Sequence, residues 1–503
     1  MRARARRRIA LAAAGALAVG IVSIASAQER FGGKTLVFTL GQSLRYSDNI
    51  DLAENPEDSV LQSRTSLDFA FDSVTRIQRL SVDLGGIYEI DTDGLKDLSN
   101  PYLNFSYARE GANSRLDLAS RYRRVDLNDS VATFVTGFDP DTGDVITQIG
   151  RIEAGIRTNT SNSLRFETGL RSNIGFTLDM SENKRSYSGA ASADLLDTRT
   201  RRASGVITFR IDPQVSARLT ASARKFDAND EDATDRRERS FGAGATYQVS
   251  PTLSLDADLR QQRIERRNVS GTTLTEGLAY DGTLRQDLRN GSATVDFDSQ
   301  PTLNGRRNTL RANRALTLRR DGTLSYGLGV TKTDGFSAEP LLSLAYNQPL
   351  KRGRFGVTFS QEARTNELDD EAVILTQLEA NYALPLTSTI NWSMGLRVND
   401  VAARDDTGED RRGLNLRGNL TGQINDISSW SAGVTLSDTD TSNLAGAANR
   451  RRYGIIFGYR RQMTRDWDLI ANYSHNAIRD TAATDRTSNT ISIGVEKAFS
   501  FRP

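Results

Sequence analysis

Ile390-Asn391-Trp392-Ser393-Met394-Gly395-Leu396-Arg397-Val398 puts an apolar residue at every even position and a small, polar or charged one at every odd position. Successive side chains of a strand point to opposite faces, so the stretch reads as one strand with a greasy face and a wet face. The pattern recurs from about Lys34 to the C-terminus, block after block with turn residues between, and no helical period interrupts it. A soluble sandwich alternates in the same way, but roughly two dozen consecutive strands point to a closed transmembrane barrel. The fold expected is therefore all-β: an antiparallel up-and-down transmembrane barrel with no plug domain.

The N-terminus sets the compartment. A basic start, Met1 to Arg8, is followed by an apolar, alanine-rich Ile9–Ile24 and then Ala25-Ser26-Ala27. This is the layout of a secretory signal peptide, and it implies a signal segment 1–27 and a mature barrel 28–503. The segment is short for a spanning helix, and no cysteine is present for a lipid anchor. The whole chain has 65 basic and 63 acidic residues, and the first 27 residues hold five of the arginines and no acid, so the mature net charge is −3. A nucleic-acid partner is not expected of such a balance. The absence of cysteine removes thiol catalysis and zinc–thiolate sites. Mean hydropathy is −0.48, as expected where only every second residue meets lipid.

The strand phase is clearest at the C-terminus. Ile491, Ile493, Val495, Phe499 and Phe501 share one face, with Ser492, Gly494, Glu496 and Ser500 on the other. The aromatic end resembles the C-terminal signal of outer-membrane barrels, with Arg502-Pro503 extending past it. Short turns are expected near Asp212-Pro213, Ser250-Pro251, Arg289-Asn290, Arg320–Gly322, Gln348–Gly353, Pro385–Thr387, Asn425–Ile427 and Met463–Asp466. Longer connections are expected at Asn229–Arg236, Asn366–Glu371, Val401–Arg412, Thr439–Asn449 and Asp480–Arg486. Short turns face the periplasm in such barrels, which places both termini there and the protein in the outer membrane of a Gram-negative cell, among lipids and lipopolysaccharide.

In the N-terminal half the spacing gives strands near Lys34–Asn49, Asp58–Val74, Gln78–Thr92, Pro101–Glu110, Ser114–Asp129, Thr147–Asn159, Ser163–Leu178, Ser186–Asp197 and Arg201–Ile211. The total is then 25. A barrel with both ends on one side needs an even number, so the expectation is 24 strands with 26 as the alternative. The slip is expected between Ser186 and Arg320, where Ser292–Asp298 is the weakest strand.

Charged residues on the polar parity are the candidate lumen lining: Arg115, Asp117 and Arg121; Arg165, Glu167 and Arg171; Arg218 and Arg224; Asp256, Asp258 and Arg260; and Arg397, Arg417, Arg460 and Asp468. They either pair across strands and keep the interior hydrated or offer guanidinium groups to carboxylated or phosphorylated solutes. The lone histidine, His475, falls on the lipid-facing parity, and Ser474 points the other way, so no nucleophile–base pair is expected and the chain does not read as an enzyme. Acid-rich stretches at Asp139–Asp144, Asn229–Asp232, Asp369–Glu371 and Asp405–Asp410 read as solvated loop tips, and neither a metal nor another cofactor is expected. The outward aromatics Trp392, Trp430 and Trp467 read as members of interfacial girdles.

Leu44-Arg45-Tyr46-Ser47-Asp48-Asn49-Ile50-Asp51-Leu52, with Ser66-Leu67-Asp68-Phe69 after an acidic gap, resembles the N-terminal signature of the β-barrel porin 2 group, which includes barrels associated with exopolysaccharide and exosortase systems. The resemblance covers about thirty residues and implies an outer-membrane barrel with a role in polysaccharide export; it carries no catalytic residues. On the residues alone, Ser47-Asp48-Asn49 is the polar turn that ends strand one. The function expected is a passive pore or export conduit for polysaccharide or anionic solutes, served by periplasmic export partners. The alternatives are a non-conducting structural or surface-interaction barrel and a secreted soluble adhesin.

Overall fold

Alternation dictates strands, and strands in a membrane must leave no unpaired edge, because lipid offers nothing to bond a free N–H or C=O. The computed structural model describes residues 33–50, 52–56, 59–92, 94, 96–126, 155–189, 196–365, 372–403, 410–443, 446–481 and 483–501. The signal segment 1–27 and the acid-rich stretches 139–144, 369–371 and 405–409 lie outside them.

The described residues form 24 strands and one short 3₁₀ turn, Arg319–Asp321. The first eight strands are β1 (Gly33–Ser47), β2 (Val60–Val74), β3 (Gln78–Ile90), β4 (Lys96–Glu110), β5 (Ser114–Asp126), β6 (Ile156–Thr168), β7 (Ile174–Ser188) and β8 (Thr198–Arg210). The middle eight are β9 (Val215–Ala228), β10 (Asp235–Ser250), β11 (Leu253–Asn268), β12 (Gly271–Leu288), β13 (Gly291–Thr302), β14 (Gly305–Thr317), β15 (Thr323–Thr333) and β16 (Glu339–Pro349). The last are β17 (Arg354–Thr365), β18 (Ala372–Pro385), β19 (Ile390–Ala403), β20 (Asp410–Asn425), β21 (Ser428–Asn443), β22 (Gly446–Gln462), β23 (Trp467–Asp480) and β24 (Ala483–Phe501).

Each strand pairs antiparallel with its sequence neighbours, and β24 pairs with β1 from Leu36↔Phe501 to Ser47↔Thr490. The sheet is therefore a closed ring. The start of β1 and the end of β24 lie on the same side of the ring, called the terminal end below; the opposite side is the far end. Connections at the terminal end are two to five residues long, whereas those at the far end range from two residues to the segment 127–155 between β5 and β6.

The fold read from the sequence needs correction in four respects. The alternative of 26 strands falls. The surplus strand lay between Thr147 and Ile211, upstream of where it was expected: four expected strands there are three, β6, β7 and β8. Arg157-Thr-Asn-Thr-Ser-Asn-Ser163 is polar on both faces and so imitates a turn, yet it runs through β6 in continuous register with β5 and β7. The true turn follows at Gly169, whose φ of 71° suits glycine. Ser292–Asp298, the weakest strand by sequence, is the body of β13. Third, several expected long connections are strand: only residues 444–445 separate β21 from β22, and 481–482 separate β23 from β24. Fourth, the absence of a plug does not follow from the wall. A ring of this size encloses more space than its own side chains fill, and barrels of about 22 strands are known with a plugged lumen.

The strands run 11 to 19 residues, against about 9–11 needed to cross a bilayer, so much of the wall stands beyond the membrane at one end.

Candidate functional site

Register turns parity into two surfaces. Residues paired directly across strands share a face, so Phe38↔Phe69, Phe71↔Val82, Phe457↔Tyr473 and Phe38↔Phe499 trace one continuous outer surface. It is apolar through the middle of the wall: Leu259, Leu328, Val434 and Ile493 are each more than half exposed, as lipid-facing groups are in a chain shown without lipid.

The outer surface changes at both rims. All three tryptophans sit at the terminal-end starts of β19, β21 and β23. Tyr346, Phe355, Tyr382 and Trp392 continue the belt in edge-on contacts with ring centroids 6.1, 6.4 and 5.4 Å apart, and Lys497 lies 5.3 Å above the Trp467 ring. The aromatic girdle with tryptophan is thus at the terminal end. Toward the far end the same outward parity becomes charged on β7–β12. Glu182 bonds Arg199 and Arg201, Lys225 bonds Asp227 and Asp235, and Arg263 lies 2.9 Å from Glu276. Charges that would be costly against hydrocarbon mark where the wall has left it.

The lumen face carries the expected charges, and register shows which of them meet. Arg115 bonds Asp117 and Arg165 bonds Glu167, each at 2.7 Å. Arg224 reaches Glu238 at 3.2 Å, with Arg236 on the same carboxylate at 2.8 Å. Arg260 pairs with Asp281, and Arg397 with Glu379 at 3.2 Å. Arg460 holds both Asp468 (2.5 Å) and Glu496 (2.6 Å). Arg417 faces the lumen between Gly395 and Thr435. Arg171 is not on a strand; it lies exposed in the turn between β6 and β7. Arg121 is exposed on the lumen face of β5 and bonds no partner among the described residues.

The largest of these clusters centres on Arg218. Its Nε donates to Asp258 Oδ1 at 2.9 Å, and its Nη1 donates to Asp256 Oδ2 at 2.7 Å and to Thr246 at 3.0 Å. Arg218 is on β9 and both acids are on β11, so the guanidinium bridges across β10. Glycine makes this possible: Gly244 of β10 faces the lumen beneath the bridge, and a Cβ there would lie 1.9 Å from Asp258 Oδ1. Two carboxylates side by side repel, and one bidentate guanidinium between them removes the repulsion.

Glu238, Asp281 and Glu379 were not singled out from sequence, Glu496 was placed on the polar face but not among the candidate charges, and the Tyr102 hydroxyl that donates to Asp68 Oδ1 at 2.7 Å was not singled out either. All sit on the lumen parity, which was legible; the strand-to-strand offsets that bring them to their partners were not.

Outside the lumen, the His475 ring nitrogen is 2.9 Å from Asn489 Oδ1, and Asn489 in turn bonds Asp48. This polar chain joins β23, β24 and the end of β1 on the outer face. Asp230 spends both carboxylate oxygens on Thr234, taking its backbone N–H and its hydroxyl at 2.7 Å each, and so closes the turn between β9 and β10.

No family model and no curated protein matches the chain. Among solved structures it is similar to the FrpB iron transporter of Neisseria meningitidis (F5-1 variant), at 10% identity over 94% of this chain and 83% of that one, with a TM-score of 0.48. It is similar to the siderophore receptor PiuA of Acinetobacter baumannii at 12% identity, covering 93% and 82% of the two chains, with a TM-score of 0.46. A ferric enterobactin receptor (PfeA) mutant of Pseudomonas aeruginosa aligns at 12% identity over 94% and 81%, with a TM-score of 0.41. The described residues form the wall alone, and the expectation of a plugless barrel is withdrawn. The closed ring, its apolar outer band and its aromatic girdle together make this chain an outer-membrane β-barrel.

Proposed function

We propose that the barrel is a water-filled conduit that lets polar, anion-bearing solutes cross the outer membrane, with its terminal end in the periplasm. The observation that carries this reading is the lumen face itself. Ion-paired arginines and acids line a ring whose strands, among the described residues, make substantial contacts with their ring neighbours, and such groups need water around them. Movement would follow a gradient or be driven by a periplasmic partner, since the sequence holds no nucleotide-binding loop. Lipopolysaccharide and outer-membrane lipids would surround the apolar band, with the charge-paired far rim at headgroup level.

Export of a polysaccharide stays a proposal on the resemblance to the β-barrel porin 2 group. The structure gives that segment another use: Ser47, Asp48 and Asn49 each bond β24 or the backbone beside it. A segment that closes the ring supports the wall more directly than it supports any cargo.

The test is single-channel recording of purified, refolded protein in planar bilayers. Steady open currents are expected. Their reproducible absence from protein that shifts on a gel with boiling, and is therefore folded, would leave the non-conducting structural barrel in its place.

A further inference from the structure

The lumen face of β4–β8 is divided by charge. Reading outward from the terminal end, one row holds Asp117, Arg165 and Asp179, and the row below it holds Arg115 and Glu167. The next row is Ser106, Ala119, Ser163 and Ser181, all small, and ends in Arg202 on β8. Beyond it come three rows with Arg121, then Arg123 and Arg185, then Arg157. Their row partners are Asn104, Ser161 and Asn183, then Tyr102 and Asn159, then Val125 and Tyr187. No lumen position in those three rows from β4 to β8 is a carboxylate, whereas elsewhere on this wall arginines and acids alternate. Arg121 and Arg123 are exposed and bond no partner among the described residues.

Small side chains on adjacent strands leave a hollow, and one of about 700 Å³ opens over Ser106, Ala119, Ser163 and Ser181. Its terminal side is closed by the Asp117–Arg165–Asp179 row. Arg202 also lines it, and Arg121 lies outside the lining, one lumen position beyond Ala119 on the same strand. Alternate residues of one strand have their Cα atoms about 7 Å apart, so two long guanidinium side chains there can reach different oxygens of one polyvalent anion.

We propose that this recess and the arginine rows beside it form an anion-holding site on the conduit wall, in which Arg121 and Arg123 take the phosphate or carboxylate groups of a passing solute and the serine floor next to them takes its remaining polar atoms. Guanidinium recognises both groups by paired, charge-assisted hydrogen bonds. The acidic row on the terminal side repels the same solute, so the recess holds anions at one level and does not attract them along the whole bore. The inference rests on the reading of the lumen as water-filled.

Inorganic tripolyphosphate is the probe, measured in two ways on detergent-purified full-length protein. In calorimetric titration, wild type is expected to bind it, and Arg121→Ser/Arg123→Ser to bind at least about tenfold more weakly, while Arg121→Lys/Arg123→Lys keeps most of the affinity. Arg354→Ser, at a lumen-facing position of β17 at the terminal end, is expected to change nothing. In bilayers the probe should block wild-type current, and the serine pair should need a correspondingly higher concentration. Equal binding by wild type and the serine pair, or equal loss in the Arg354 variant, overturns the site. Conductance without binding sinks the site and leaves the conduit; binding without conductance does the reverse.

Discussion

Asp48 and Asn489, at opposite ends of the barrel sequence, are held together by two hydrogen bonds of 2.7 Å, one from the Asn489 backbone N–H and one from its side-chain amide. Above and below them Ser47 meets Ser488 and Thr490 at 3.2 and 3.1 Å, and Asn49 donates to the Thr487 carbonyl at 3.0 Å. Three consecutive polar residues thus fasten the first strand to the last. Replacing Asp48 by alanine leaves the Asn489 groups without an acceptor and is expected to weaken the folded barrel by about 1–3 kcal/mol. The temperature at which the boiled-type band appears on a gel should fall in Asp48→Ala and much less in Asp230→Ala, which loses two bonds inside one turn and none across the seam.

The same contact has a pH signature. Partial burial pushes the Asp48 carboxyl up, but the Asn489 side-chain and backbone hydrogen bonds outweigh it and hold the group below the ordinary aspartate range. A group depressed in the folded state contributes stability above its unfolded value, near 3.9, and loses it as pH falls through the folded one. The difference in stability between wild type and Asp48→Asn should therefore be constant from neutral pH down to about 5 and shrink only below about 4. A difference that shrank between pH 8 and 6 would point to another group.

Gly244 is expected to be intolerant of any side chain. Gly244→Ala drives a methyl into Asp258 and lifts Arg218 from its bridge, leaving two carboxylates together on the lumen wall. A loss of about 2–4 kcal/mol in denaturant unfolding is expected, comparable to breaking a part-buried ion pair by removing one member. Arg218→Leu should cost a similar amount, and Asp256→Asn/Asp258→Asn placed on top of it should recover part of the loss. Additive losses in that combination would dissolve the cluster as a unit.

The girdle makes a depth prediction. Because all three tryptophans lie at the terminal-end starts of their strands, quenching by brominated lipids should be strongest with bromine near the headgroups and weakest at the chain ends, for Trp392, Trp430 and Trp467 alike. One tryptophan quenched best at the bilayer centre would displace the membrane band.

Orientation can be read directly in cells, since the chain has no cysteine. Ser270→Cys, in the far-end turn between β11 and β12, should react with an impermeant maleimide on intact cells, and Ser388→Cys, in the terminal-end turn between β18 and β19, only after the outer membrane is opened. The reverse pattern would invert the barrel.

Parity was legible from sequence because the two-residue period is a property of single strands. Fourteen of the fifteen candidate lumen residues stand on the lumen parity of a strand, and Arg171 does not, because the chain turns there before the pattern does. Register was not legible, because it depends on how neighbouring strands slide past one another. Arg218 was visible and Asp256 was visible, but nothing local said that a glycine on the intervening strand lets them touch. The strand count slipped at Arg157–Ser163 for a related reason: a wall standing clear of lipid no longer needs one greasy face, and its sequence then looks like a loop. Ser47-Asp48-Asn49 has the composition of a turn, and only the closed ring reveals what it bonds.

Closure of β1 on β24 also fixes an order of events in assembly. The first strand made is paired on one side by the second at once, but its other edge must wait until the last strand has been synthesised, more than four hundred residues later. Contacts so distant in sequence form slowly, and an open edge of a large apolar sheet is a template for pairing with the wrong chain. For as long as the ring is open, its two free edges have to be shielded, so the growing barrel depends on something to occupy the gap that Phe38 and Phe499 finally close, their rings 6.0 Å apart.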